Sequence, residues 1–234
     1  MKGDREYKTA VYEQFALIGK ALCSGPRLEI LDVLEQAERT VDVLAAEVGL
    51  SVANTSHHLQ VLKRSRVVES ERRGQHVVYR LADPAVADVL RAVRLLGERR
   101  LSEIERVTGE FLAGREGMEV VDEDSLIARI ANGDCIVLDV RPPEEYEASH
   151  LANAVSMPLE ELERHLAELP RDMPIVAYCR GPYCVLAVSA VETLRRHGFD
   201  AVRAPEGVQE WRELGLEVIG RDAQRAKVTA RNRK

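Results

Sequence analysis

Residues 175–188 read IVAYCRGPYCVLAV. An apolar run ending at Tyr178 delivers a cysteine, Cys179, and a short polar turn with Gly181 and Pro182 follows. The apolar pattern resumes at Cys184 and continues at helical spacing through Arg196. Strand, cysteine, tight loop and helix make a geometry in which a thiolate is stabilised. Loop N–H groups point inward, and the positive end of the next helix faces the sulfur. Both draw a thiol from about 8.5 towards or below neutral, and Arg180 adds a cation. The pattern also fits a small residue buried at a strand end, since free cysteine is among the most buried residue types.

Outward from this stretch, short strands and helices alternate. Helices are expected over 122–132, 144–148, 159–168, 185–197 and 209–214. Strands are expected over 136–140, within 150–157, over 175–178 as the central strand, and over 201–203. Such alternation means an α/β domain on a parallel sheet. Sites in these sheets form at the carboxyl ends of strands, where Cys179 lies. Asp139 and Arg141 end a neighbouring strand. They either pair structurally under the loop, or Arg141 supplies positive potential for an anionic sulfur donor. Cys135, ahead of an apolar strand, reads as core.

The segments LDVRPPEEY from Leu138, SHLANAV from Ser149, YCRGPYC from Tyr178 and EGVQEWRELG from Glu206 carry a resemblance. Residues 118–220 resemble the rhodanese (sulfurtransferase) domain. The resemblance implies that Cys179 accepts a sulfane sulfur as a persulfide and passes it to a thiol or cyanide. The loop residues Arg180, Gly181, Pro182, Tyr183 and Cys184 would cradle that sulfur with backbone N–H groups. Pro182 has none, so at most four of these five donate. Related phosphatases place an arginine six positions after the cysteine; here that residue is Val185, which argues against phosphatase activity. Many rhodaneses end the loop in a basic or hydroxyl residue. This one ends in Cys184, which suits low turnover, and also a resolving thiol that closes a disulfide with Cys179. Cys184 equally fits a small residue packing at the helix start.

The first half is organised differently. Apolar positions Val11, Phe15, Ile18 and Leu22 predict a helix over 5–22, stopped near Ser24-Gly25. Further helices are expected over 26–36, over 41–48 behind Thr40, and over 52–65 behind Ser51. The last two are joined by Gly49-Leu50-Ser51, the spacing of a helix-turn-helix. On the helix SVANTSHHLQVLKRS, Thr55, Leu59 and Leu62 share one face and should pack inward with His58 beside them. Ala53, Asn54, Ser56, His57, Gln60 and Arg64 are the candidate DNA contacts, a small and polar face suited to a major groove. Alternating runs at 67–71 and 76–81 flank Arg72-Arg73-Gly74-Gln75, a hairpin turn. Arg72, Arg73 and Gln75 would meet phosphates or the minor groove.

The run from Ser24 to Leu81, with SHHLQVLK and RRGQHVVYRL, resembles the winged-helix repressors of the ArsR/SmtB family. The likeness spans about residues 5–113. It implies a homodimer that binds double-stranded operator DNA and pairs through its first and last helices, the latter expected as one helix over 84–112. Metal-sensing members carry paired cysteines in the third helix. Here that helix reads TVDVLAAEV, without cysteine or histidine. No metal site and no cofactor are expected. Cys23 reads as core-facing.

The totals agree with two small domains in 234 residues. No apolar run reaches the roughly 18 residues that span a bilayer, and MKGDREYK lacks a signal-peptide core, so a cytoplasmic protein without membrane contact is expected. The net charge of −6 hides a local basic stretch: residues 63–80 hold six basic side chains against two acidic. The domain reading is 1–113 for an α+β winged helix-turn-helix domain, mostly helical; 114–117 for a linker; 118–220 for an α/β rhodanese-like domain with a parallel sheet; and 221–234 for a basic, disordered tail. The function this predicts is a DNA-binding repressor whose rhodanese domain couples sulfur or redox state to operator binding. The competing reading is a sulfurtransferase with persulfide or thiosulfate donor and thiol acceptor, anchored by its DNA-binding domain.

Overall fold

The computed structural model describes residues 2–118 and 122–221, and the chain divides into two compact units between Ser102 and Glu103. The basic tail beyond Arg221 lies outside the described residues. Among the described residues, no helix is long and apolar enough to cross a membrane.

The first unit runs α1 (Lys2–Leu22), α2 (Gly25–Gln36), β1 (Arg39–Thr40), α3 (Val41–Glu47), α4 (Val52–Arg64), β2 (Val68–Arg73), β3 (His76–Leu81) and α5 (Ala85–Arg100). Its core gathers Ile30 and Leu31 of α2, Leu44 of α3, and Leu59 and Leu62 of α4. Gly49 at φ +64° ends the α3 side of the turn. The Ser51 hydroxyl then caps α4 by accepting from the Asn54 N–H at 3.3 Å. The strands form an antiparallel sheet in the order β1-β3-β2. The hairpin loop is tighter than expected. β2 continues to Arg73, and Arg73 pairs with His76 across a two-residue loop, Gly74-Gln75. Gly74 at φ +64° makes this possible, because a positive φ at the first loop position matches the strand twist.

Two expectations are corrected here. The single helix over 84–112 is two helices: α5 stops at Arg100, Leu101 is extended at φ −118° and ψ 93°, and α6 (Ser102–Leu112) begins afresh. The charges explain the break. Arg99 and Arg100 complement the negative end of α5, and Glu103 and Glu105 the positive start of α6. Cys23 is exposed, not core-facing, because α1 ends one residue before it at Leu22.

The second unit continues from α6 with α7 (Glu123–Asn132), β4 (Ile136–Asp139), α8 (Pro143–Ala148), β5 (His150–Leu151), β6 (Val155–Ser156), α9 (Leu159–His165), β7 (Ile175–Tyr178), α10 (Leu186–Arg196), β8 (Ala201–Arg203), α11 (Val208–Glu213) and β9 (Val218–Ile219). The main sheet is parallel throughout, in the order β6-β4-β7-β8. β7 is an inner strand, buried along its length. Its alternate residues feed opposite cores. Ile175 and Ala177 pack with Leu162 of α9 and Val188, Val191 and Leu194 of α10. Val176 and Tyr178 pack with Leu126 of α7 and Trp211 of α11. The strand expected within 150–157 is two short pieces: β5 pairs antiparallel with β9, whereas β6 joins the main sheet. Residues 114–117, read as a linker, are built into this unit. Arg115 pairs with Glu192 of α10, and the Gly117 carbonyl accepts from Arg203 N–H at 3.1 Å.

Candidate functional site

α4 separates its two faces as its sequence requires. Thr55, Leu59 and Leu62 are fully buried, and Ala53, Asn54, His57, Gln60 and Arg64 are exposed, with Ser56 between. His58 is on the inner side; burial, then the charge of Arg27, then His57, lower its pKa, so its ring is held neutral. The helix therefore presents small and amide side chains near its N-terminus and a cation at its end. In the adjoining hairpin, Arg72 and Gln75 are exposed, and Arg72 Nε donates to the Gly74 carbonyl at 3.3 Å. Arg73 is engaged differently: it forms ion pairs with Glu38 and Glu71. Arg80 pairs with Glu69 at 2.6 Å. The hairpin thus offers Arg72 outward and uses Arg73 to tie β2 to the stretch before β1.

The second site begins where β7 ends. Cys179 is 1% exposed and continues the face of Ile175 and Ala177 against α10. The loop turns at Gly181, whose φ of +152° favours glycine. It closes through a hydrogen bond from Cys184 N–H to Gly181 O at 3.2 Å. Cys179 Sγ donates to the Cys184 carbonyl oxygen at 3.5 Å. The N–H groups of Gly181 and Ala187 point at the Cys179 sulfur, and those of Arg180 and Leu186 at the Cys184 sulfur. The donors thus come from the loop start and the first turn of α10 rather than from 180–184 throughout. Cys184 N–H is consumed in the turn.

The charge balance of the two thiols reverses the expectation from the sequence. Burial, and then contact with Cys184, push Cys179 well above the ordinary thiol range, against two N–H donors. Cys184 is drawn down to about 7, first by the hydrogen bond from Cys179 and then, against burial, by the Arg180 and Leu186 N–H groups and the charge of Arg180. Of the two, Cys184 therefore gives up its proton the more readily.

Beneath the loop lies a buried charge network. Arg141 binds Asp139 through Nε at 2.9 Å and Nη2 at 2.6 Å, and Nη2 also donates to the Ser149 carbonyl at 2.7 Å. Both side chains are fully buried. Tyr178 Oη donates to Asp139 Oδ2 at 2.6 Å across the β4–β7 register. Burial would lower Arg141, but the charge and hydrogen bonding of Asp139, joined by Tyr178 and Glu145, together outweigh it and raise its pKa. Of the two roles open for this pair, the structural one is what the geometry supplies. Arg180, in turn, makes a bidentate contact with buried Glu145: Nε lies 3.1 Å from both carboxylate oxygens, and Nη2 lies 2.7 Å from Oε1. The Arg180 carbonyl also leaves no room for a side chain at Gly207, where a Cβ would stand 2.2 Å from it. Arg203 Nη1 donates to the Pro182 carbonyl at 3.0 Å. Tyr183 is exposed. Glu145, Arg203 and Gly207 are parts of the site that sequence reasoning missed. Glu145 stood within a quoted motif, yet nothing local pointed it at Arg180.

Two family models match the chain: the bacterial regulatory protein, arsR family, over residues 24–70, and the rhodanese-like domain over residues 122–214. The HTH-type transcriptional regulator Rv0324 of Mycobacterium tuberculosis is 39% identical over 218 residues, covering 93% of this chain and 96% of its own. A sulfurtransferase of Allochromatium vinosum is 27% identical over 101 residues, 42% of this chain and 92% of its own. Among solved structures, the homodimeric winged helix-turn-helix DNA-binding domain Mb0332 of Mycobacterium bovis is 39% identical. It covers 40% of this chain and 87% of its own, with a TM-score of 0.39.

Proposed function

The chain belongs to the ArsR family of bacterial transcriptional regulators and carries a rhodanese-like domain, and from that premise we propose a dimeric, operator-binding regulator that reads sulfane sulfur through Cys179. The exposed face of α4, with Asn54, His57 and Gln60 above a buried Leu59 and Leu62, carries this reading. Asparagine and glutamine are the side chains that pair with adenine edges, and Arg64 and Arg72 stand ready for phosphates. A second copy of the chain is the partner for the apolar side chains left exposed on the first unit. Phe15 and Ile18 on α1, and Val89, Val93 and Leu96 on α5, form stripes at helical spacing that stay exposed among the described residues.

In the rhodanese unit, Cys179 attacks the outer sulfur of a donor persulfide RS–SH. The bond from its sulfur to the sulfane sulfur forms, the RS–S bond breaks, and RS⁻ leaves. The persulfide changes charge and bulk inside a loop where Cys179 is 1% exposed, and that change alters operator affinity. The test begins by selecting bound duplexes from a random pool. Fluorescence anisotropy at fixed salt then compares wild type and Cys179→Ser, with and without inorganic polysulfide. Wild-type affinity should change while that of the variant stays constant. Equal constancy in both ends the coupling and leaves sulfur transfer as the output of the second unit.

A further inference from the structure

Resting on the sulfur-accepting role of Cys179, we infer that Cys184 is a second reacting residue, which resolves the Cys179 persulfide into a Cys179–Cys184 disulfide and releases hydrosulfide. Cys184 closes the loop that Cys179 opens, and the Cys179 Sγ stands 3.5 Å from the Cys184 carbonyl oxygen. Cys179 is buried and Cys184 is half-buried. The Cys184 sulfur receives its own pair of backbone donors, Arg180 N–H from the loop and Leu186 N–H from the start of α10. A residue that only fills space has no need of them; a sulfur bearing negative charge does. The pull of Cys179 and of these donors draws the Cys184 thiol down to about 7. A thiolate in contact with a persulfide is what exchange requires.

The chemistry closes without a further oxidant. The Cys179 proton passes to Cys184, the sulfur beside it, so that Cys179 attacks the donor as a thiolate. After RS⁻ leaves, it takes that proton and departs as RSH. The Cys184 thiolate then attacks the inner sulfur of the Cys179 persulfide. The bond to the terminal SH breaks, and that sulfur leaves as HS⁻. The two cysteines lose two electrons, and the sulfane sulfur gains them as sulfide. The loop thereby passes from a dithiol to a covalently closed ring whose state is independent of how much donor remains.

The experiment treats reduced, full-length protein with one equivalent of glutathione persulfide and follows intact mass and free sulfide. Wild type should end two hydrogens lighter and release one equivalent of sulfide. Cys184→Ser and Cys184→Ala should end one sulfur heavier, with the extra atom on Cys179 and no sulfide released. A wild type that stays one sulfur heavier, like the variants, overturns the resolving role while leaving Cys179 as acceptor. A wild type that neither gains a sulfur nor releases sulfide overturns both readings together.

Discussion

The α4 face and the Cys179 loop are built on opposite plans. α4 keeps every charged group at the surface and rests on an apolar underside of Leu59 and Leu62. Its exposed side chains can change without unsettling what holds the helix. The Cys179 loop rests on charges. Asp139, Arg141 and Glu145 are fully buried, and each has a partner that reaches or underlies the loop. In the first plan function and stability occupy different residues; in the second the residues that shape the site also hold the domain together. The difference fits the ligands proposed for the two sites. A DNA groove is met from outside, whereas a single sulfur atom must be enclosed by donors that do not move.

The largest expected effect breaks the second plan. Asp139→Ala leaves Arg141 and Tyr178 without their shared partner, and removing one member of a buried pair costs about 3–5 kcal/mol. The protein has a single tryptophan, Trp211, and it lies fully buried in the second unit. Its fluorescence during urea unfolding therefore follows that unit. Asp139→Ala should move the Trp211 transition by this amount. A loss below about 1 kcal/mol would show that the network is easily replaced. As a control, Leu59→Ala should cost the first unit about 2–5 kcal/mol, read by far-ultraviolet circular dichroism, with the Trp211 transition unmoved.

The first plan is probed by substitutions that should spare stability. Asn54→Ala and Gln60→Ala should each lose about 1–3 kcal/mol of discrimination between selected and random duplexes. Arg72→Ala should weaken both about equally and lower the salt slope by roughly 1. Arg73→Ala gives the contrast within the hairpin, since its ion pairs with Glu38 and Glu71 already occupy it. It should disturb the fold of β2 more than the salt slope. Should Arg73 prove the stronger contributor to the slope, the outward role of Arg72 is wrong. Below these in size stands Ser51→Ala, which removes the cap of α4 at a cost of about 1 kcal/mol.

The same contrast explains what the sequence made legible. α4 could be read whole because each signal is local: Gly49 and Ser51 mark its start, and Thr55, Leu59 and Leu62 fall at one helical period. Cys179 was legible for the same reason, as a cysteine between a strand and a glycine turn. What escaped was assembled by the fold. Tyr178 meets Asp139 from 39 residues away because parallel pairing sets β4 and β7 side by side, and Arg180, just beyond β7, meets Glu145 of α8, just beyond β4, from 35. Gly207 gave no sign that the Arg180 backbone would crowd it. The rise of the Cys179 thiol escaped on the same ground: loop dipoles are visible in a sequence, whereas the depth of Cys179 depends on α10 lying over it. One miss was avoidable. Arg99-Arg100 followed by Glu103 and Glu105 is a helix end and a helix start written in charge, and it sat inside what looked like one long helix.

The smallest effect in energy is the most specific to the loop. An unfolded chain keeps both thiol protons until about pH 8.5. The folded pair has already released one near pH 7, from Cys184. Between these values the unfolded chain binds more protons, so stability rises with pH. Higher still, the unfolded chain loses both protons while burial keeps one on folded Cys179, and stability falls again. The stability of reduced wild type, less that of a variant carrying both Cys179→Ser and Cys184→Ser, should therefore pass through a maximum on the alkaline side of neutral. Cys135, also raised by burial, is common to both proteins and cancels. A difference that only falls with pH would mean that burial governs both sulfurs and no thiolate is shared. One that only rises would mean that burial holds no proton on either sulfur, so the shape of the curve decides whether the folded pair keeps one of its protons.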